Sequence, residues 1–158
     1  MSGRLMGLDH GLRRIGAAVS DANRLVATEL TIIVRQTRAE DFAAINALAA
    51  REQVVGFVVG MPYSDAPPGA YTQADTVTLW VSRFAQTTPL PVVTWDETLT
   101  SDDARALARY LRRRPDAPID DLAARIMLQS FLDALRDGLA TFPQRPDPTD
   151  LTNADKAL

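Results

Sequence analysis

The sequence predicts an α/β fold, a mixed five-stranded sheet made of a three-strand antiparallel meander plus parallel strands and flanked by helices. Two observations carry that expectation. Three apolar runs with short links between them fill the stretch from Leu5 to Val34. From Glu40 onward, apolar runs of strand character alternate with segments whose apolar residues recur at helical spacing. A meander that gives way to alternation yields a mixed sheet covered by helices.

The elements follow in order. Leu5 to Leu8 and Ile15 to Val19 are short apolar runs, and the link HGLRR between them contains Gly11, which favours a hairpin. Leu25 to Val34 has the β-branched content of a third strand. Glu40 to Glu52 places Phe42, Ile45, Leu48 and Ala49 on one helical face. Gln53 to Val59 is a continuous apolar run closed by Gly60 and Pro62, as a central strand would be. The proline-rich stretch YSDAPPGAYT is expected to be irregular, and Gln73 to Gln86 helical, with Val77, Trp80, Val81 and Phe84 facing a core. Leu90 to Trp95 supplies the fifth strand. Thr100 or Ser101 can cap the next helix, whose first turn holds Asp102 and Asp103 and which runs to about Arg113. A last helix spans Ile119 to Leu135. Residues 1–138 are expected to form the domain, and residues 139–158 a flexible, polar, proline-bearing tail.

With 158 residues, 46% of them apolar and 23% charged, the chain has the profile of one ordinary globular domain. No run of eighteen apolar residues or signal-peptide core is visible, so a soluble cytoplasmic protein is expected, with no membrane partner. The absence of cysteine excludes disulfides, thiolate metal sites and cysteine nucleophiles. A net charge of −3 argues against a protein that coats nucleic acid non-specifically, yet leaves room for a nuclease whose acidic site offsets a basic patch. Lys156 is the only lysine, so any phosphate contacts fall to arginine, with its planar, bidentate donors.

Three carboxylates stand out. Asp9 closes the first apolar run, and Asp96 and Glu97 follow the fifth. In sheets of this kind ligands collect beyond strand ends where the chain order switches. Stepping about 100° per residue along the last helix puts Ala123, Ala124, Met127, Phe131 and Ala134 within about 60° of Asp120. Asp120 is thus expected on the inward stripe, and Asp121 at its edge, paired with Arg125 one turn on. An inward carboxylate needs a partner, a hydrogen bond or a metal. Each acid also has a plainer reading: a turn aspartate for Asp9, an exposed loop residue for Glu97, an N-cap for Asp120. Together, Asp9, Glu97 and Asp120 are the hard oxygen ligands suited to Mg²⁺ or Mn²⁺. Two such ions roughly 4 Å apart activate water and stabilise the leaving oxygen of a phosphodiester.

Four blocks, DHGLRRIGAAVSD (Asp9 to Asp21), VVGFVVGMP (Val54 to Pro62), PVVTWDETLTSDDA (Pro91 to Ala104) and IDDLAARIMLQSFLD (Ile119 to Asp133), occur in the order seen in one family. Over residues 4–137 the chain resembles the YqgF/RuvX family of bacterial Holliday-junction-resolvase-like proteins, also named for pre-16S rRNA nuclease activity. The resemblance implies an RNase H-like fold and metal-dependent endonuclease chemistry with Asp9, Glu97 and Asp120 as catalytic and metal-binding residues. It matches Gly11, Gly16 and Arg14 to family positions. Two positions depart from the pattern: His10 stands where the family has an aromatic or apolar residue, and Thr98 where it has an arginine. His10 is expected to be a substituted loop residue rather than a catalytic one.

Arg112, Arg113 and Arg114 read as a solvated helix end favoured by the helix dipole, or as phosphate contacts, since they immediately precede Asp120. Arg13 and Arg14 in the hairpin have a similar case. Tyr63 and Tyr71 could stack on an unpaired base or simply pack, and Trp80 belongs to the core. The leading functional expectation is hydrolysis of phosphodiesters in structured nucleic acid. The substrate is either precursor 16S rRNA, trimmed at its 5′ end in ribosome biogenesis, or branched, Holliday-junction-like DNA. A non-catalytic module that binds nucleic acid or a ribosome-associated partner is the alternative. An actin-like or sugar-kinase-type phosphotransferase is a more distant one, because that fold needs two related lobes.

Overall fold

The computed structural model describes residues 3–62, 66–97 and 101–144, with the side chain of Ser101 excepted. Tyr63, Thr98, the cap expected at Thr100 or Ser101 and the chain beyond 144 lie outside the described residues. Five strands form one sheet: β1 (Arg4–His10), β2 (Arg14–Ser20), β3 (Ala27–Val34), β4 (Val54–Pro62) and β5 (Val92–Glu97). Their order is β3-β2-β1-β4-β5, antiparallel across β1, β2 and β3 and parallel across β1, β4 and β5. Helices α1 (Arg38–Arg51), α2 (Gln73–Ala85), α3 (Ser101–Tyr110) and α4 (Asp120–Arg136) complete the fold, which is the predicted mixed α/β class. Among the described residues no helix is long and apolar enough to cross a membrane.

The pleat sorts each strand between two cores. Met6 and Leu8 of β1 and Phe57 and Val59 of β4 pack against Phe42 and Ile45 of α1 and Val77, Trp80 and Phe84 of α2. Leu5, Ala18 and Val58 face the other way, onto Ala124, Met127, Leu128, Phe131 and Leu132 of α4. Burying each large apolar side chain contributes roughly 1.5–3 kcal/mol, so these two layers hold the sheet. Helix α3 rests on α4 rather than on the sheet, through Ala104, Ala108 and Leu122.

Element boundaries shift where local hydrogen bonding overrides pattern. The third strand starts at Ala27, because the Asp21 carboxylate accepts from the Leu25 and Val26 amides and holds both in a turn. Asp9, Asp96 and Glu97 lie within strands instead of beyond them. Helix α3 ends at Tyr110, where Arg112 turns left-handed at φ 58°. The Arg112 amide then donates to the Arg109 carbonyl and the Arg113 amide to the Ala108 carbonyl, closing the helix as a glycine usually does. Beyond Gly138 the chain still packs: Phe142 meets Phe131 edge-on and lies under the Arg24 guanidinium.

Two glycines set distances. Asp9 pairs with Gly16 across the hairpin, and a side chain at Gly16 would collide with the Asp120 carbonyl oxygen. The first turn of α4 therefore sits directly on β2. On β4, a Cβ at Gly60 would lie 3.2 Å from a Glu97 carboxyl oxygen and 3.1 Å from Met127.

His10 is a strand residue, not a loop residue, which corrects the expectation. It is 6% exposed, on the same face as Met6 and Leu8, with its ring 5.0 Å from that of Trp80. Among the described residues neither ring nitrogen has a hydrogen-bond partner, nor does the Trp80 indole N–H. Burial holds the His10 imidazole below its ordinary 6.5, with the Arg35 charge acting in the same direction.

Two substitutions test this packing. Gly16→Ala sets a methyl against backbone that cannot rotate away, and is expected to destabilise by about 1–3 kcal/mol in urea unfolding. His10→Phe keeps the contact with Trp80 and removes two unpartnered nitrogens, so it is expected to stabilise by about 1–2 kcal/mol. The imidazole's folded value is depressed, so wild-type stability is lost as pH falls below 6.5. The advantage of His10→Phe should therefore widen in that direction; a margin independent of pH would refute the buried, neutral imidazole.

Candidate active site

The side chains of Asp9 and Glu97 meet across β4. They belong to strands two places apart, about 9.5 Å between axes. Val93 and Trp95 face α4, so Glu97, two and four residues on, faces it as well, while Asp96 is exposed on the other side. Gly60, lying between the two strands, has no side chain to separate them.

The two carboxyl groups share a hydrogen bond. Burial raises Glu97 most, the Asp9 charge adds to it, and the group reaches about 8. Asp9 is pushed up by burial and by the charge of Asp120, and pulled back by the bond from Glu97, to about 6. At neutral pH the pair accordingly holds one proton between its two carboxyl groups.

Asp120 opens α4. The plainer N-cap reading fails, since Ile119 is the cap residue and makes no side-chain cap bond. Instead one Asp120 oxygen accepts from Arg14 Nε at 2.9 Å, and the other lies 3.8 Å from where a Gly11 Cβ would stand. Its partner in sequence behaves differently from the helical-wheel expectation. Asp121 is the more buried of the two, at 6% exposure, and its two oxygens accept from Nη1 and Nη2 of Arg113 at 2.8 Å each. Arg125 pairs with Glu29 at 2.9 Å and not with Asp121. The wheel treats α4 as packed only on the sheet; α3 covers a second side of it, and Asp121 faces the α3 end.

The five arginines singled out from sequence thus divide. Arg14 sits on Asp120, Arg113 is committed to Asp121, and Arg13, Arg112 and Arg114 are exposed. Tyr71 is exposed and its hydroxyl is hydrogen-bonded with that of Thr76. Sequence reasoning passed over Arg35, which donates to the Gly11 carbonyl at 3.0 Å and lies 3.5 Å from buried Asp41. Its position directly after the third strand's apolar run carried no signal, because its role depends on the hairpin folding back beside it.

Among the described residues no group of three histidine, aspartate or glutamate side chains is placed so that it could hold a metal ion. Two acids converge and the third is turned to Arg14. The donor set nevertheless fits a hard divalent cation: the oxygens are carboxylate, they are crowded, and burial disfavours their charge. Without a cation, a raised acid stabilises the fold fully below its unfolded value, 4.5 for Glu97, and loses that contribution as pH rises through about 8. Glu97→Gln is therefore expected to match wild type near about pH 5 and exceed it by about 1–2 kcal/mol near about pH 9, in chelator. Parallel stability curves for the two proteins would contradict the shared proton.

A family model for RuvX, described as Holliday junction resolvase, matches residues 3–134. A relative from Cereibacter sphaeroides is 40% identical over 138 residues, covering 85% of each chain. One from Synechococcus sp. is 39% identical over 136 residues, covering 84% of this chain and 90% of its own. Both bear the provisional name pre-16S rRNA nuclease. Among solved structures, T. thermophilus RuvC in complex with a Holliday junction substrate superposes with a TM-score of 0.61 at 16% identity, over 88% of this chain and 98% of that one. That likeness is one of fold, and the fold is RNase H-like. The chain belongs to the RuvX family, nucleases built on the RuvC-like fold.

Proposed function

We propose that this chain is a divalent-metal-dependent endonuclease that hydrolyses phosphodiester bonds in structured nucleic acid. The observation that carries the reading is the half-buried, proton-sharing pair of Asp9 and Glu97 at the carboxyl ends of parallel strands, with Asp120 beside it. Asp9, Glu97 and Asp120 would hold Mg²⁺ or Mn²⁺, Asp120 exchanging Arg14 for the cation. Ions so held would supply an activated water for in-line attack and stabilisation of the departing 3′-oxygen. Loading would require the Asp9–Glu97 pair to release its shared proton, so it would be favoured as pH rises.

Arginines position the substrate. Arg14, once free of Asp120, and Arg13 lie on the hairpin side of the acids, and we assign them to backbone phosphates. Exposed Arg112 and Arg114 flank Arg113, which ties the α3 end to the start of α4 through Asp121. Arg112 keeps a left-handed backbone that glycine would adopt more easily, which supports a reason for its side chain beyond the turn. Arg113 is a brace in this reading rather than a phosphate contact.

Trimming of precursor 16S rRNA is the preferred substrate assignment, on the names of the relatives; branched DNA is the second, on the family description. The test is metal-dependent cleavage of a precursor-rRNA fragment and a four-way DNA junction. Asp9→Asn, Glu97→Gln and Asp120→Asn are each expected to lower cleavage at least about a hundredfold, or about 2.7 kcal/mol of barrier. Variants as active as wild type would sink the assignment. Metal-independent binding without cleavage would favour a non-catalytic module.

A further inference from the structure

The turn between β1 and β2 carries an apolar side chain where a surface turn needs none. Leu12 is 82% exposed, between Gly11 and exposed Arg13. A polar residue would serve an ordinary turn equally well, and one stray leucine on a surface would mean little. The backbone beneath this one, however, is unusually constrained. The Gly11 amide donates to the Arg14 carbonyl at 2.9 Å. The Arg35 amide donates to the Arg13 carbonyl at 2.9 Å, and its guanidinium to the carbonyls of Gly11 and Leu12 at 3.0 and 3.4 Å. Arg35 is itself held against Asp41, which is 1% exposed. All three carbonyls of the tip are thus fixed from one neighbouring residue anchored in the core.

This rigid tip stands on the rim of the acidic site. Gly11 faces Asp120, and Arg14 bonds it. Two cationic side chains therefore follow Leu12, one at the acids and one in solvent. A polyanion drawn to exposed Arg13 would bring its bases against the leucine. The apolar faces of bases are hidden in a continuous duplex and available where stacking is interrupted. We infer that Leu12 is a wedge that packs on a nucleobase at a bulge or other break in stacking beside the scissile phosphate, selecting interrupted over continuous helices. This rests on the nuclease reading for its substrate and names a residue that decides specificity.

The probe is an RNA duplex with one bulged 2-aminopurine, alongside the same duplex fully paired, both bound to the full chain in chelator. Wild type is expected to raise the fluorescence of the bulged base and to prefer the bulged RNA. Leu12→Ala is expected to abolish the rise and lower affinity for the bulged RNA about five- to tenfold, to the level of the paired one. Its unfolding midpoint and its affinity for paired RNA should not move, and Leu12→Met should restore both lost signals. An unchanged fluorescence rise in Leu12→Ala, equal weakening on both RNAs, or no binding of either by wild type overturns the wedge. Failure of the two proposals is distinguishable. Leu12-dependent fluorescence without metal-dependent cleavage leaves the wedge and removes the nuclease. Cleavage indifferent to Leu12 does the reverse.

Discussion

The close approach of the Glu97 and Asp9 carboxyl groups is the constraint on which the candidate site depends. Two carboxyl groups from strands two places apart can meet only because Gly60, between them, has no side chain. They stay half-buried because α4 lies over that end of the sheet, and α4 can lie so close only because Gly16 admits the Asp120 backbone. The acids are thus brought together by absent side chains on the strands beside them. The cost of burying like-charged groups is met, in the absence of a cation, by a retained proton.

Charge around this pair is organised by arginines with separate duties. Arg113 and Asp121 fasten the α3 end to the start of α4 with two parallel bonds, a geometry that lysine cannot supply. Arg35 fixes the hairpin tip from the β3 side. Arg14 spans from β2 to Asp120 and restrains that carboxylate from joining the other two. A chain with a single lysine builds both its braces and its candidate phosphate contacts from the same residue type, so composition alone could not say which arginine did which.

The opposite face of the sheet shows a different compromise. His10 sits one residue from Asp9, yet the pleat turns it into the core against Trp80, where its nitrogens find no partner among the described residues. The strand alternation that aims Asp9 at α4 necessarily aims residue 10 away from it. The single histidine is therefore separated from the acidic chemistry by the sheet itself, despite its place in the sequence.

Sequence by itself determined the fold class, the order of elements and the acids to watch. Alternation, helical spacing and the Gly–Pro close of β4 are local signals, and each reports a local period that packing then preserved. The resemblance of four blocks pointed to the family that the comparisons establish. Only the tertiary structure decided which acids meet and which arginines brace the fold. Asp121 lies deeper than Asp120 in its pairing with Arg113, because α3 covers a side of α4 that a helical wheel cannot see. Arg35 and Leu12 gained their places through a hairpin that brings residues 11–13 beside residue 35. Contacts of that kind arise between segments with no shared period, so nothing in either segment alone encodes them.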